Sequence, residues 1–169
     1  MTFISPRDLV TRGAVDYPER IAVTSSEGPI TYGELAEQTA MAAATLKEAG
    51  VGAGVQVALA ISDPVTFFVC YFGVLEAGGI IAPISATATV TEARELITSS
   101  GAQFLIVDRD SALPAGLETG SEPSTLPSCD SVVWRMDSGS GRLTLCPGAR
   151  TAIFFGNSLP GQPVVRNIF

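Results

Sequence analysis

Between Val55 and Val107 three short apolar runs, VQVALA, IIAPI and FLIV, alternate with two stretches that open on helix-capping residues. Asp63-Pro64 supplies an N-cap followed by a proline at the first helical position, which predicts a helix from there to about Ala77, closed by Gly78-Gly79. Thr89 and Glu92 have the spacing of a capping box, which predicts a second helix to about Ser99. Strands that alternate with helices of this length build βαβ crossovers, so the expected class is α/β with a parallel sheet. VQVALA is apolar enough to be covered on both faces, as an inner strand of such a sheet must be.

Upstream, Ser5-Pro6 predicts a short helix over Arg7 to Asp16, and Arg20 to Thr24 reads as a strand. The turn Glu27-Gly28-Pro29 pairs that strand with Ile30 in a small hairpin. Thr31-Tyr32-Gly33-Glu34 is a second capping box, opening a helix that runs through Ala49 to a stop at Gly50. Leu35, Thr39, Ala42 and Leu46 recur at helical spacing, and the small residues among them suit close packing against a sheet. Downstream, residues 109–131 turn to Ser, Pro, Gly and acid and read as a long, flexible surface loop. Val132 to Met136 and Leu143 to Cys146 predict a hairpin, and Thr151 to Phe155 a last strand that empties into the Gly- and Pro-rich loop Gly156 to Val165.

Composition removes several functions. The chain has no histidine, which excludes Ser-His and Cys-His nucleophile pairs and His-containing metal sites. Its net charge of −7, with Lys47 the one lysine, argues against a nucleic-acid or anionic-membrane surface. Three cysteines at unrelated spacings fit reduced thiols in a cytoplasmic protein, with Cys70 a buried small hydrophobe. Val65 to Ile84 is long and apolar enough to span a membrane, but Glu76, Gly78-Gly79 and Pro83 break it into helix, turn and strand. The N-terminus has no basic region followed by an apolar core, so no secretory signal is expected. Asp108, Asp110 and Glu118 match no cation loop and read as solvated acids, so no metal site is expected. Gly50 to Gly54 precedes a strand rather than following one, which is the wrong side for a dinucleotide loop.

Three stretches together resemble the N-terminal region of the adenylate-forming superfamily, which comprises acyl-CoA synthetases, adenylation domains of nonribosomal peptide synthetases and luciferases. ITYGEL, Ile30 to Leu35, is similar to its L-T-Y-x-E-L element. VLEAGGIIAPIS, Val74 to Ser85, is similar to its L-K-A-G-x-x-Y-V-P-I-D element, and PVTFFVCYFGVL matches the helix leading into it. The third is Gly156 to Val165, at the place of the family's T-S-G-T-T-G-x-P-K-G phosphate loop. Gly161 and Pro163 match, but Leu159 and Pro160 replace the two Thr and Val164 the Lys, so a hydroxyl, a backbone donor and the positive charge are missing.

The resemblance implies a partial adenylate-forming domain over residues 1–169, lacking the C-terminal lobe. It also implies an ancestral reaction in which ATP and Mg²⁺ convert a carboxylate into an acyl-adenylate. Ser158 and Gly161 are the positions at which a degenerate cofactor-binding loop would contact phosphate, and no catalytic residue is assigned. The reading that follows is a truncated, ligase-like chain that is not catalytic alone and expects no cofactor alone. The alternatives are a binding or interaction module, or one chain of a split ligase completed by a protein partner.

Overall fold

The computed structural model describes residues 5–26, 28–108, 111–113 and 117, together with the backbone of 131–136 and 143–145. Helix α1 (Pro6–Asp16) leads to the hairpin β1 (Ile21–Ser25) and β2 (Gly28–Thr31), then α2 (Tyr32–Glu48). There follow β3 (Gln56–Ala60), α3 (Pro64–Ala77), β4 (Ile80–Pro83), α4 (Val90–Ser100) and β5 (Phe104–Asp108), and finally β6 (Ser131–Met136) and β7 (Leu143–Leu145).

The main sheet has the order β4-β3-β5-β6-β7, with β4, β3 and β5 parallel. This is the α/β architecture with a parallel sheet. At its far side β6 pairs antiparallel with β5 and β7 antiparallel with β6, the latter being the expected hairpin.

Both capping boxes form. The Thr31 and Thr89 hydroxyls accept from the Glu34 and Glu92 N–H groups, while each glutamate accepts from the N–H of its cap residue. Asp63 accepts from the Thr66 N–H at 2.8 Å and α3 starts at Pro64. Gly78 closes α3 in the left-handed region at φ 92°, which a side chain would resist.

Strands β3 and β5 are buried on both faces, with strict alternation. Val57, Leu59, Phe104 and Ile106 belong to one apolar cluster with residues of α1, α2 and α3. Ala58, Ala60, Leu105 and Val107 belong to the other, with Ala93 and Ile97 of α4 and with Ile84. Leu113 and Leu117, inside the stretch expected to be a surface loop, are buried in that second cluster. The crossovers from β3 to β4 and from β4 to β5 run in opposite directions along the sheet, so their helices land on opposite faces.

One packing expectation is corrected. The small residues of α2 meet α3 rather than a sheet: a Cβ on Gly73 would lie 2.9 Å from the Ala42 Cβ and 3.4 Å from the Ala43 nitrogen. The α3 helix already occupies the sheet face, so α2 forms an outer layer on it. The β4 edge is blunted by sequence. Ile80 and Ile84 donate to Val55 and Leu59 on the β3 side, so Pro83, alternating with them, sits where its missing N–H faces outward.

Candidate functional site

In an open α/β sheet, ligands bind beyond the carboxyl ends of the strands, where successive crossovers part in opposite directions. Here that point lies between β3 and β5. A cleft of about 470 Å³ opens there, lined by Ser62, Thr87, Thr89, Asp108, Ser111 and Leu113 among others.

Polar groups in the cleft, and Ser85 and Glu92 beside it, are engaged with one another. The Ser62 N–H donates to Asp108 Oδ2 at 2.7 Å, tying the loop after β3 to the end of β5 across the switch point. The Ser85 and Thr87 hydroxyls lie 2.9 Å apart. The Thr89 N–H and Oγ1 both donate to Glu92 Oε2 at 2.8 Å. These bonds stabilise the charged carboxylate and hold Glu92 below its ordinary value of 4.5, the backbone bond from Thr89 being the larger cause and the Thr89 hydroxyl the second.

Chemically the cleft offers hydroxyls and a committed carboxylate. Among the described residues no Lys or Arg lines it, and the chain has no histidine. Among the described residues no group of three His, Cys, Asp or Glu is placed to hold a metal ion. Glu92 takes up the N–H of Thr89 at the start of α4, so a phosphate approaching that helix would compete with a carboxylate already in place.

Of the residues singled out from sequence, Asp108 is partly exposed and accepts from the Ser62 N–H, and Asp110 and Glu118 lie outside the described residues. The degenerate phosphate loop, with Ser158 and Gly161, and the strand expected at Thr151 to Phe155 lie outside them too. Lys47 is exposed in the last turn of α2, and Cys70 is buried. Among the described residues no helix is long and apolar enough to cross a membrane, and Val65 to Ile84 divides into α3, a turn and β4. The Ser62–Asp108 tie was missed from sequence. The only available signal was an acid directly after FLIV.

The fold and this cleft define an α/β scaffold with three parallel strands and a cleft beyond their carboxyl ends. Residues 10–142 match the family described as AMP-binding enzyme, and the chain belongs to that family of adenylate-forming enzymes and adenylation domains. It is 29% identical over 101 residues to the nonribosomal peptide synthetase inpB of Emericella nidulans, a match covering 60% of this chain and 4% of that protein. The N-terminal subdomain of Klebsiella oxytoca NpsA, in complex with anthranilyl-AMSN, superposes on 79% of this chain with a TM-score of 0.60 and 20% identity. A benzoate CoA ligase from Burkholderia xenovorans LB400 superposes on 60% of the chain, with a TM-score of 0.55 and 25% identity. The chain spans 42% of the NpsA subdomain and 21% of the benzoate ligase.

Proposed function

We propose that this chain supplies the N-terminal α/β scaffold of a carboxylate-activating adenylation domain and does not activate a carboxylate by itself. The observation that carries the reading is the donor set of the carboxyl-end cleft: among its described lining residues stand hydroxyls and Asp108, whose carboxylate already accepts from the Ser62 N–H, and no cation. The family uses ATP, a tetra-anion whose phosphates need positive charge and free donors. The residues present do not fit it. In the loop at the family's phosphate-binding place, Leu159, Pro160 and Val164 stand where two hydroxyls and a lysine are needed, and exposed Lys47 on α2 is no replacement. The role left to these residues is to present a rigid sheet end on which the rest of a catalytic domain is built.

The test is isothermal titration of the chain with ATP and Mg²⁺, alongside carboxylate-dependent release of pyrophosphate. No binding heat and no release above the protein-free rate are expected. Robust pyrophosphate release by the isolated chain overturns the reading.

A second reading, one chain of a split ligase completed by another polypeptide, is favoured by an apolar groove on the α1 side of the molecule.

A further inference from the structure

Two hollows of this molecule differ in their chemistry. The groove on the α1 side gathers the exposed apolar side chains of Leu9, Tyr17, Ile21 and Phe68, whereas the cleft beyond β3 and β5 is built largely from hydroxyls, alanines and Asp108. At about 470 Å³ the cleft falls within the range of small-ligand sites, about 300–1,000 Å³. Its walls are set by their own hydrogen bonds. On one side the Ala88 N–H donates to the Ser85 carbonyl at 3.0 Å and the Thr87 N–H to Ser85 Oγ at 3.3 Å. On the other the Ser111 N–H donates to the Asp108 carbonyl at 3.0 Å, and Ser111 Oγ accepts at 3.3 Å from the N–H of buried Leu113. Neither wall needs a ligand to order it, so the cleft is preformed.

Asp108 gives the cleft its sign. The Ser62 N–H holds its Oδ2 at 2.7 Å and so orients the carboxylate, while Oδ1 has no partner among the described residues. The hydroxyl of the same Ser62 has none among them either. No described Lys or Arg in the lining offsets the charge. A carboxylate oxygen only accepts, so the group that completes Oδ1 must be a donor, and a charged donor gains most there.

We infer that the cleft seats a small hydroxylated amine, an amino alcohol or amino sugar carrying no carboxylate or phosphate, with its ammonium group on Asp108 and its hydroxyls on Ser62 and Thr87. The inference rests on the scaffold reading above, in which this cleft is not a phosphate site. Ala86, Ala88 and Ala112 leave room for the carbon skeleton of such a ligand. The same features turn anions away. Asp108 stands in the cleft and Glu92 beside it, with no described cation in the lining between them, so a carboxylate substrate has the wrong charge for this seat.

The test titrates the full chain with glucosamine, with its neutral counterpart glucose, and with ATP and Mg²⁺, followed by amide NMR at about pH 6, where the amine is protonated. Glucosamine is expected to shift the amides of Ser62, Thr87 and Ser111 and to bind roughly tenfold tighter than glucose, the difference between a charged and a neutral donor. Asp108→Asn keeps an oxygen for the Ser62 N–H and is expected to abolish that preference. Ser62→Ala leaves the N–H bond in place, removes only the hydroxyl, and is expected to weaken glucosamine about threefold. Glu37→Gln, at an exposed acid of α2, changes the net charge by the same amount and is expected to change nothing. Circular dichroism checks that each variant remains folded. Equal affinity for the two sugars, or equal weakening by Glu37→Gln and Asp108→Asn, overturns the seat, the latter by reducing it to general attraction to an acidic chain. No response to glucosamine with ATP silent as well overturns the seat and leaves the scaffold reading standing. Binding of ATP in the cleft with release of pyrophosphate overturns both.

Discussion

The two faces of the main sheet draw on the same strands and are finished differently. One receives Val57, Leu59, Phe104 and Ile106 and is covered by α3 with α1 and α2 beyond it. The other receives Ala58, Ala60, Leu105 and Val107 and is covered by α4 with Ile84, Leu113 and Leu117. The first is a double helical layer locked by backbone contacts, in which Gly73 admits Ala42 and Gly13 admits Tyr32. Among the described residues the second is covered chiefly by α4, over small side chains that include Ala58, Ala60 and Ala93. The lesson is that alternation along a strand fixes burial on both sides, but the thickness of the cover decides how each side answers to damage.

The largest expected effects come from opening a cavity in each face. Leu59→Ala beneath the locked layer is expected to cost about 4 kcal/mol, and Ile97→Ala beneath α4 about 2.5 kcal/mol, because a single helix can close part of the void. Urea unfolding measures both, and equal losses would break the comparison. Gly73→Ala comes next. Despite a helix-propensity gain near 1 kcal/mol, the clash with Ala42 is expected to leave a net loss of about 1–2 kcal/mol. Gly52→Ala, with nothing within 4 Å of its Cβ, is the control, and a shift there of similar size would mean that the lock is not steric.

The smallest effects separate the two capping boxes. Thr31→Ala and Thr89→Ala are each expected to cost about 1 kcal/mol at neutral pH. The α4 cap carries a pH signature as well. The Glu92 carboxyl titrates below its unfolded value near 4.5, so its contribution is complete above that pH and is lost as pH falls through the lower folded value. Denaturation followed between pH 7 and pH 3 is therefore expected to show the deficit of Glu92→Gln shrinking with acid, and a deficit that grows with acid contradicts the sign.

Much of the scaffold was legible because its signals are local. Asp63-Pro64, the two Thr-to-Glu boxes and Gly78 act on backbone groups within a turn of themselves, and they set the helix limits where expected. The hairpin of β6 and β7 was legible for the same reason. The antiparallel attachment of β6 to β5 was not, since nothing in FLIV or VVWRM records which way a neighbour runs. The packing of α2 on α3 escaped too, because Ala42 and Gly73 are small for each other's sake and lie 31 positions apart. The candidate phosphate loop was read entirely from resemblance, and Ser158 and Gly161 stay with the sequence.

By itself, then, the sequence determined the order and ends of the elements, the two-faced burial of β3 and the family, since periodicity, caps and short motifs are properties of neighbours along the chain. Only the tertiary structure decided that Asp108 clamps the Ser62 N–H across the switch point, that α2 rides on α3, and that Leu9, Tyr17, Ile21 and Phe68 meet in one groove. Those are relations between residues tens of positions apart, set by how the layers close on one another. No local preference encodes them.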